Sequence, residues 1–162
     1  NLLDLQPHLV SPALDWFGPA ELVSSSINSI RGGADDDTVL VLKHASGVDS
    51  YLSASTIIGS PGPRIRLIGD KGALIISDLD PQETMLRNGL YPKGGVWGES
   101  TKSKAFIHRG DEITEYQSVD GNYAQFYTQV KEALSGGSWP VSTDEALSVA
   151  KIIDLARLSS IR

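Results

Sequence analysis

Residues 38–57, TVLVLKHASGVDSYLSASTI, read as two strands, Thr38 to Lys43 and Val48 to Ile57, joined through Ala45-Ser46-Gly47. Their Val, Leu, Ile, Thr and Tyr content suits a pleated, half-buried surface, and a short loop holding a glycine suits a hairpin. Short connections join antiparallel neighbours, whereas parallel neighbours need crossovers of about a dozen residues or more. The device recurs twice. Arg64 to Ile68 and Ala73 to Ser77 flank Gly69-Asp70-Lys71-Gly72, and Lys104 to His108 and Glu112 to Ser118 flank Arg109-Gly110-Asp111. With Glu21 to Ile30 also strand-like, a mostly antiparallel open sheet is expected.

Helical patterns bracket this sheet. Asn1 to Phe17 reads as a helix ended by Gly18-Pro19, although Pro12 has no N–H for the carbonyl of residue 8 and should bend or break it there. Tyr123, Phe126, Tyr127, Val130, Ala133 and Leu134 recur at three and four residues and stop at Gly136-Gly137. A capping box, Ser142-Thr143-Asp144-Glu145, opens the last helix, whose expected packing stripe is Ala146, Val149, Ala150, Ile153 and Ala156. The class is therefore α+β, a single domain over residues 1–162 with helices packed on one face of the sheet. Val39, Val41, Leu52 and Ile75 are candidates for the opposite face, which would need its own cover if apolar. Between Asp78 and Ser103 lies a long irregular stretch with a helical turn from Pro81 to Asn88. Its Trp97 sits in a glycine-rich segment suited to a pocket rim or a partner surface.

Composition bounds the function. The chain has 162 residues, 40% hydrophobic and 21% charged, with a formal net charge of -6. That charge argues against a nucleic-acid or anionic-membrane surface, and no stretch is apolar enough to span a bilayer. There is no cysteine, which excludes disulfides and thiolate chemistry and leans toward a reducing, cytoplasmic setting. His8, His44 and His108 lack metal-ligand spacing, so no metal is expected. Asp35-Asp36-Asp37 reads as a solvated loop.

Asp4 and His8 carry the chemistry. Residues four apart on a helix share a face, so the carboxylate and the imidazole can point into one pocket. A histidine exchanges protons near neutrality, and a carboxylate beside it fixes its tautomer and stabilises its charged form. Asp4 also fits a plain N-cap, with Pro7 in the first turn. Tyr123 can be a core aromatic or can offer its hydroxyl to a polyol.

The segment D-L-x-P-H-L-V-x-x-A-L-x-x-F-G resembles the one opening the C-terminal domain of the Gfo/Idh/MocA oxidoreductases. The resemblance continues through G-D-K-G and D-P-Q-E between Ile65 and Gly89, and through G-N-Y-x-x-F-Y, A-L-x-x-G and P-V after Gly121. It departs at Gln6, where a glycine is usual, at Ser11, where a second Asp is frequent, and at Pro12. These features look like the scyllo-inositol dehydrogenase branch. The resemblance implies the substrate-binding and oligomerisation half of an enzyme passing hydride between NAD or NADP and a sugar, inositol or related polyol. It implies His8 as proton-transfer residue, with Asp4 hydrogen-bonded to it or to a substrate hydroxyl, and beside these Asn122, Tyr123 and Trp97 are candidate substrate contacts. It also implies a homodimer or tetramer formed through the free sheet face.

No G-x-G-x-x-G joins a strand to a helix, so no cofactor-binding residue is expected here and the dinucleotide is expected on an N-terminal Rossmann domain outside this chain. The chain alone should then be inactive. The same fold also serves sugar-pathway regulators without catalysis, and a third possibility is a module for assembly alone.

Overall fold

A computed structural model describes residues 1–78, 80–92, 104–117, 119 and 121–159. The chain folds as two compact units, Asn1–Gly59 with Val141–Arg162, and Ser60–Pro140. Among the described residues every strand pairing is antiparallel, and the strands fall into a three-stranded and a four-stranded open sheet.

The first unit holds α1 (Pro7–Phe17), β1 (Ala20–Asn28), β2 (Asp37–His44), β3 (Asp49–Ser55) and α4 (Thr143–Ser159). β2 is central, and its alternation decides the core. Thr38, Leu40, Leu42 and His44 are buried, whereas Val39, Val41 and Lys43 face the other way and are more exposed. Leu40 and Leu42 are 0% exposed, and burying each side chain contributes about 1.5–3 kcal/mol. They join Leu2 and Val10 from the N-terminal segment with Ile152, Ile153 and Ala156 from α4 in one cluster. Leu52 pairs with Leu40 across the ladder and packs against this cluster, so it does not belong to the outer face.

β1 contains a bulge between Leu22 and Ser24. One extra residue changes the parity of the strand. Ser25 and Ile27 thereby come opposite the inward-facing Leu40 and Thr38, while Val23 is left exposed.

Three features of the helices differ from expectation. α1 begins at Pro7, whose preset φ and missing N–H suit a first helical position, and its N-cap is Gln6, not Asp4. The helix continues through Pro12, since only one intrahelical bond is lost and the carbonyl deprived of it belongs to the exposed His8. In α4 the packing stripe is Val149, Ile152, Ile153 and Ala156, with Ala146 and Ala150 exposed, because the larger aliphatics gain more from burial. The capping box forms as expected. The Glu145 N–H donates to Ser142 Oγ at 3.2 Å, and the Ser142 N–H donates back to Glu145 Oε2 at 2.7 Å.

The second unit holds β4 (Ile65–Gly69), β5 (Gly72–Ile76), α2 (Gln82–Arg87), β6 (Lys104–Arg109), β7 (Glu112–Gln117) and α3 (Tyr123–Leu134), with sheet order β4-β5-β6-β7. Gly110 takes φ +58° in the two-residue loop closing β6 and β7, which only glycine adopts without strain. Of the periodic apolar face of α3, Ala133 alone is buried among the described residues, and Phe126, Tyr127 and Leu134 are exposed. Shared periodicity fixes which residues align, and leaves open whether anything covers them.

Candidate active site

The N-terminal segment has two faces with different work. Asn1 O accepts the N–H groups of Leu5 and Gln6 at 2.8 and 3.1 Å, closing a turn that runs straight into α1. Gln6 O then accepts from both Leu9 and Val10 at 2.9 Å. Leu2, Gln6, Val10 and Ala13 are buried, and Asp4, His8, Ser11 and Asp15 are exposed. The exposed set is spaced by four, three and four residues, so Asp4 and His8 share one solvent-facing stripe.

Neither side chain has a structural task. Asp4 caps nothing, since Gln6 stands at the N-cap without a side-chain cap bond. Among the described residues no hydrogen bond or ion pair involves the side chain of Asp4 or His8. The packing and anchoring fall to their buried neighbours. Leu2 donates its N–H to Asp35 Oδ2 at 2.6 Å. Gln6 is 0% exposed, and its Nε2 lies 3.0 Å from Thr38 Oγ1, 3.1 Å from Leu52 O and 3.3 Å from Thr38 O. Thr38 Oγ1 spends its own proton on Ala54 O at 3.1 Å, so it accepts from Gln6. Three acceptors around one nitrogen fix which end of the amide is which. Gln6 Oε1 is buried with no hydrogen-bond partner among the described residues, a state that costs about 1–3 kcal/mol.

Asn122 and Tyr123 lie in the second unit, at the start of α3. Asn122 is the N-cap, and its Oδ1 accepts the Gln125 N–H at 3.3 Å, which occupies the carbonyl end of a residue expected to contact substrate. Tyr123 is 42% exposed, so it is not a core aromatic. Partial burial, and then the negative charges of Asp80 and Glu83, hold its hydroxyl above its ordinary range. Trp97 lies outside the described residues.

Several structural residues escaped the sequence. Gln82, 0% exposed, bridges α2 to α3: its Nε2 donates to Asp80 Oδ1 and Oδ2 at 3.0 and 2.9 Å, and its Oε1 accepts the Tyr123 N–H at 2.7 Å. A side chain at Gly121 would collide with Asp80 Oδ2 and Gln82 Nε2, so D-P-Q and G-N-Y are one structural device. Asp36 is buried, not solvated. It accepts the Ile30 and Arg31 N–H groups at 2.8 Å each and Arg31 Nε at 3.2 Å. The Arg31 and Ile30 amides, with the Arg31 guanidinium, hold its carboxyl below its ordinary value. His44 is buried too, with Nδ1 at 2.8 Å from Gly18 O and Nε2 at 2.9 Å from Ser50 Oγ, which pins the end of α1 to the sheet.

Among the described residues no group of three or more His, Cys, Asp or Glu is arranged to hold a metal ion, and no helix is long and apolar enough to cross a membrane. A groove of about 460 Å³ runs between the end of α1, β1 and α4, lined by Leu14, Leu22, Lys151 and Leu155 among others. Asp4 and His8 are not part of it. They stand on an open face.

Residues 1–75 match the family model described as the GFO/IDH/MocA C-terminal domain, and the chain belongs to the Gfo/Idh/MocA oxidoreductase family. It is 30% identical over 168 residues to the Bacillus subtilis protein named scyllo-inositol 2-dehydrogenase (NADP(+)) IolW, covering 99% of this chain and 47% of that protein. It is 29% identical to the Escherichia coli protein named uncharacterized oxidoreductase YdgJ, covering 94% of this chain and 45% of that protein. A crystal structure of an oxidoreductase from Klebsiella pneumoniae superposes with a TM-score of 0.88 at 29% identity, over 98% of this chain and 47% of that one. The chain thus spans about half the length of the curated relatives it matches.

Proposed function

We propose that this chain is the substrate-binding and assembly half of a cytoplasmic NAD(P)-dependent oxidoreductase acting on an inositol, sugar or related polyol. One observation carries the reading. Asp4 and His8 share an exposed stripe and take no part in capping or packing, while every buried residue of their segment does. Polar side chains without a structural task, on a rigidly held helix start, are what a proton-transfer site needs before substrate arrives.

In this reading His8 takes the proton of the substrate hydroxyl as the carbon is oxidised, and Asp4 orients the imidazole or binds a neighbouring hydroxyl. Tyr123 and Asn122, with Trp97, are proposed as further substrate contacts. The dinucleotide is proposed to be held mainly by residues outside this chain. The strand-to-helix junctions carry no glycine-rich turn, and α3, which follows β7, has its N-terminus taken by Asn122 and Gln82. In this reading the hydride passes to a nicotinamide held mainly outside these residues. The relative named for scyllo-inositol and NADP(+) supports both the substrate class and the cofactor.

Assembly is proposed through the four-stranded sheet. Alternation aligns Ile68, Ile75, Phe106 and Ile113 on one face, and Ile68 and Ile113 are 70% and 60% exposed. A second copy of the chain would cover that patch.

The test is NAD(P)H formation by the full-length protein against a panel of inositols, aldoses and deoxy-sugars, with His8→Ala alongside. A folded His8→Ala protein that loses about 10²-fold or more in turnover supports the assignment. Full activity in that variant sinks it.

A further inference from the structure

We infer that Gln6 is a positioning residue for the Asp4–His8 pair, an inference that rests on the role proposed above for His8. Gln6 stands midway between the two, on the opposite face of the same turn. Its backbone and its side chain are both committed. Its carbonyl accepts two amides of the first helical turn, and its side-chain nitrogen reaches Thr38 in β2 and Leu52 in β3. Rotation or sliding of the segment over the sheet breaks these contacts together. Asp4 and His8, which have no ties of their own, thus inherit their orientation from Gln6.

A plain packing role accounts poorly for an amide here. Val10 and Leu2, the buried neighbours of Gln6 in this segment, pack without polar side-chain atoms, and an apolar side chain of similar length would bury no unpaired oxygen of its own. The amide brings direction instead: three acceptors on two strands converge on one nitrogen, which fixes the register of the turn as dispersion contacts do not. A proton-transfer group misplaced by about 1 Å can lose about 10²-fold in rate, so such fixing has kinetic value.

The experiment is a double-mutant cycle in the full-length protein, with the panel substrate that gives turnover. Gln6→Met keeps the length and apolar bulk and removes the donors. The expected result is a thermal midpoint at or above that of the unsubstituted protein, kcat lower by about 10-fold, and KM nearly unchanged. On a His8→Ala background Gln6→Met should cost nothing further, because it acts through His8. Equal losses on both backgrounds would show a merely structural effect and overturn the inference, as would full kcat in a folded Gln6→Met protein while His8→Ala is impaired. Full activity in His8→Ala would instead remove the proposed role of His8 itself. If Gln6→Met fails to fold, Thr38→Val deletes one acceptor. A smaller kcat loss that vanishes on the His8→Ala background supports the inference, and unchanged kcat overturns it.

Discussion

The side-chain oxygen of Gln82 accepts the backbone N–H of Tyr123 at 2.7 Å, tying the short helix α2 to the first residue of α3. The amide nitrogen of the same side chain is held by both oxygens of Asp80, so both ends of a fully buried amide are satisfied. Gln82→Leu should therefore destabilise the fold by about 1–3 kcal/mol, the usual consequence of leaving buried partners unpaired. Gly121→Ala should act on the same lock by pushing against Asp80 and Gln82. Urea midpoints of the two single variants and the double variant check this. The double variant is expected to lose clearly less than the sum of the single losses, and strict additivity would mean that the two residues do not form one device.

Asp36 predicts the acid limb of stability. Its carboxyl is held below its ordinary value of 3.8 by the Arg31 and Ile30 amides and the Arg31 guanidinium. A folded-state value below the unfolded one means that the unfolded chain takes up the proton first. The contribution is thus complete above the unfolded value and disappears as pH falls through the folded one. Asp36→Asn should accordingly lower the urea midpoint at pH 7, and the gap between the two proteins should close as pH falls below about 4. A gap that stays constant down to pH 2 would show that the carboxylate charge is not what holds the loop.

How much of this was visible in the sequence depends on the range of the interactions. The hairpins were legible because Gly47 and Gly110 sit in loops too short for anything but antiparallel return, and the Ser142–Glu145 box because its partners are three residues apart. The Asp4–His8 stripe was legible because helical spacing is local. Asp36 was not: a run of three carboxylates looks solvated, and the amides that claim the middle one come from a loop whose shape the sequence does not encode locally. The division into two sheets was equally hidden, since β5 meets β6 across a long intervening segment. Gln6 was noticed only as a departure from glycine, and its burial depends on Thr38 and Leu52 far along the chain.

Asp4 separates a capping role from a chemical one. A cap lost to alanine costs about 0.5–2 kcal/mol, whereas an exposed residue without contacts costs within about 0.5 kcal/mol. Asp4 is exposed and lies ahead of the true N-cap, so Asp4→Ala should leave the thermal midpoint of the chain nearly unchanged while reducing turnover of the full-length protein. A midpoint lowered as much as by Ser142→Ala, which removes a cap whose hydroxyl accepts the Glu145 N–H, would restore the capping role and weaken the case for chemistry.

The four-stranded sheet supplies the last prediction. Ile113 is 60% exposed on β7, and His108, its partner across the ladder, shares its face with Phe106 and Ile75. An apolar patch of this kind on a sheet face loses most by staying in water, and a second copy offers the same patch in return, as two-fold assembly requires. Ile113→Lys places a charge where two such patches would meet. Light scattering on the full-length protein should then give an oligomer mass for the unsubstituted chain and a monomer mass for the variant at tens of micromolar. The same oligomer mass for both would exclude this face as the contact, because a lysine beside Phe106 and Ile75 would lose its hydration when two such faces met.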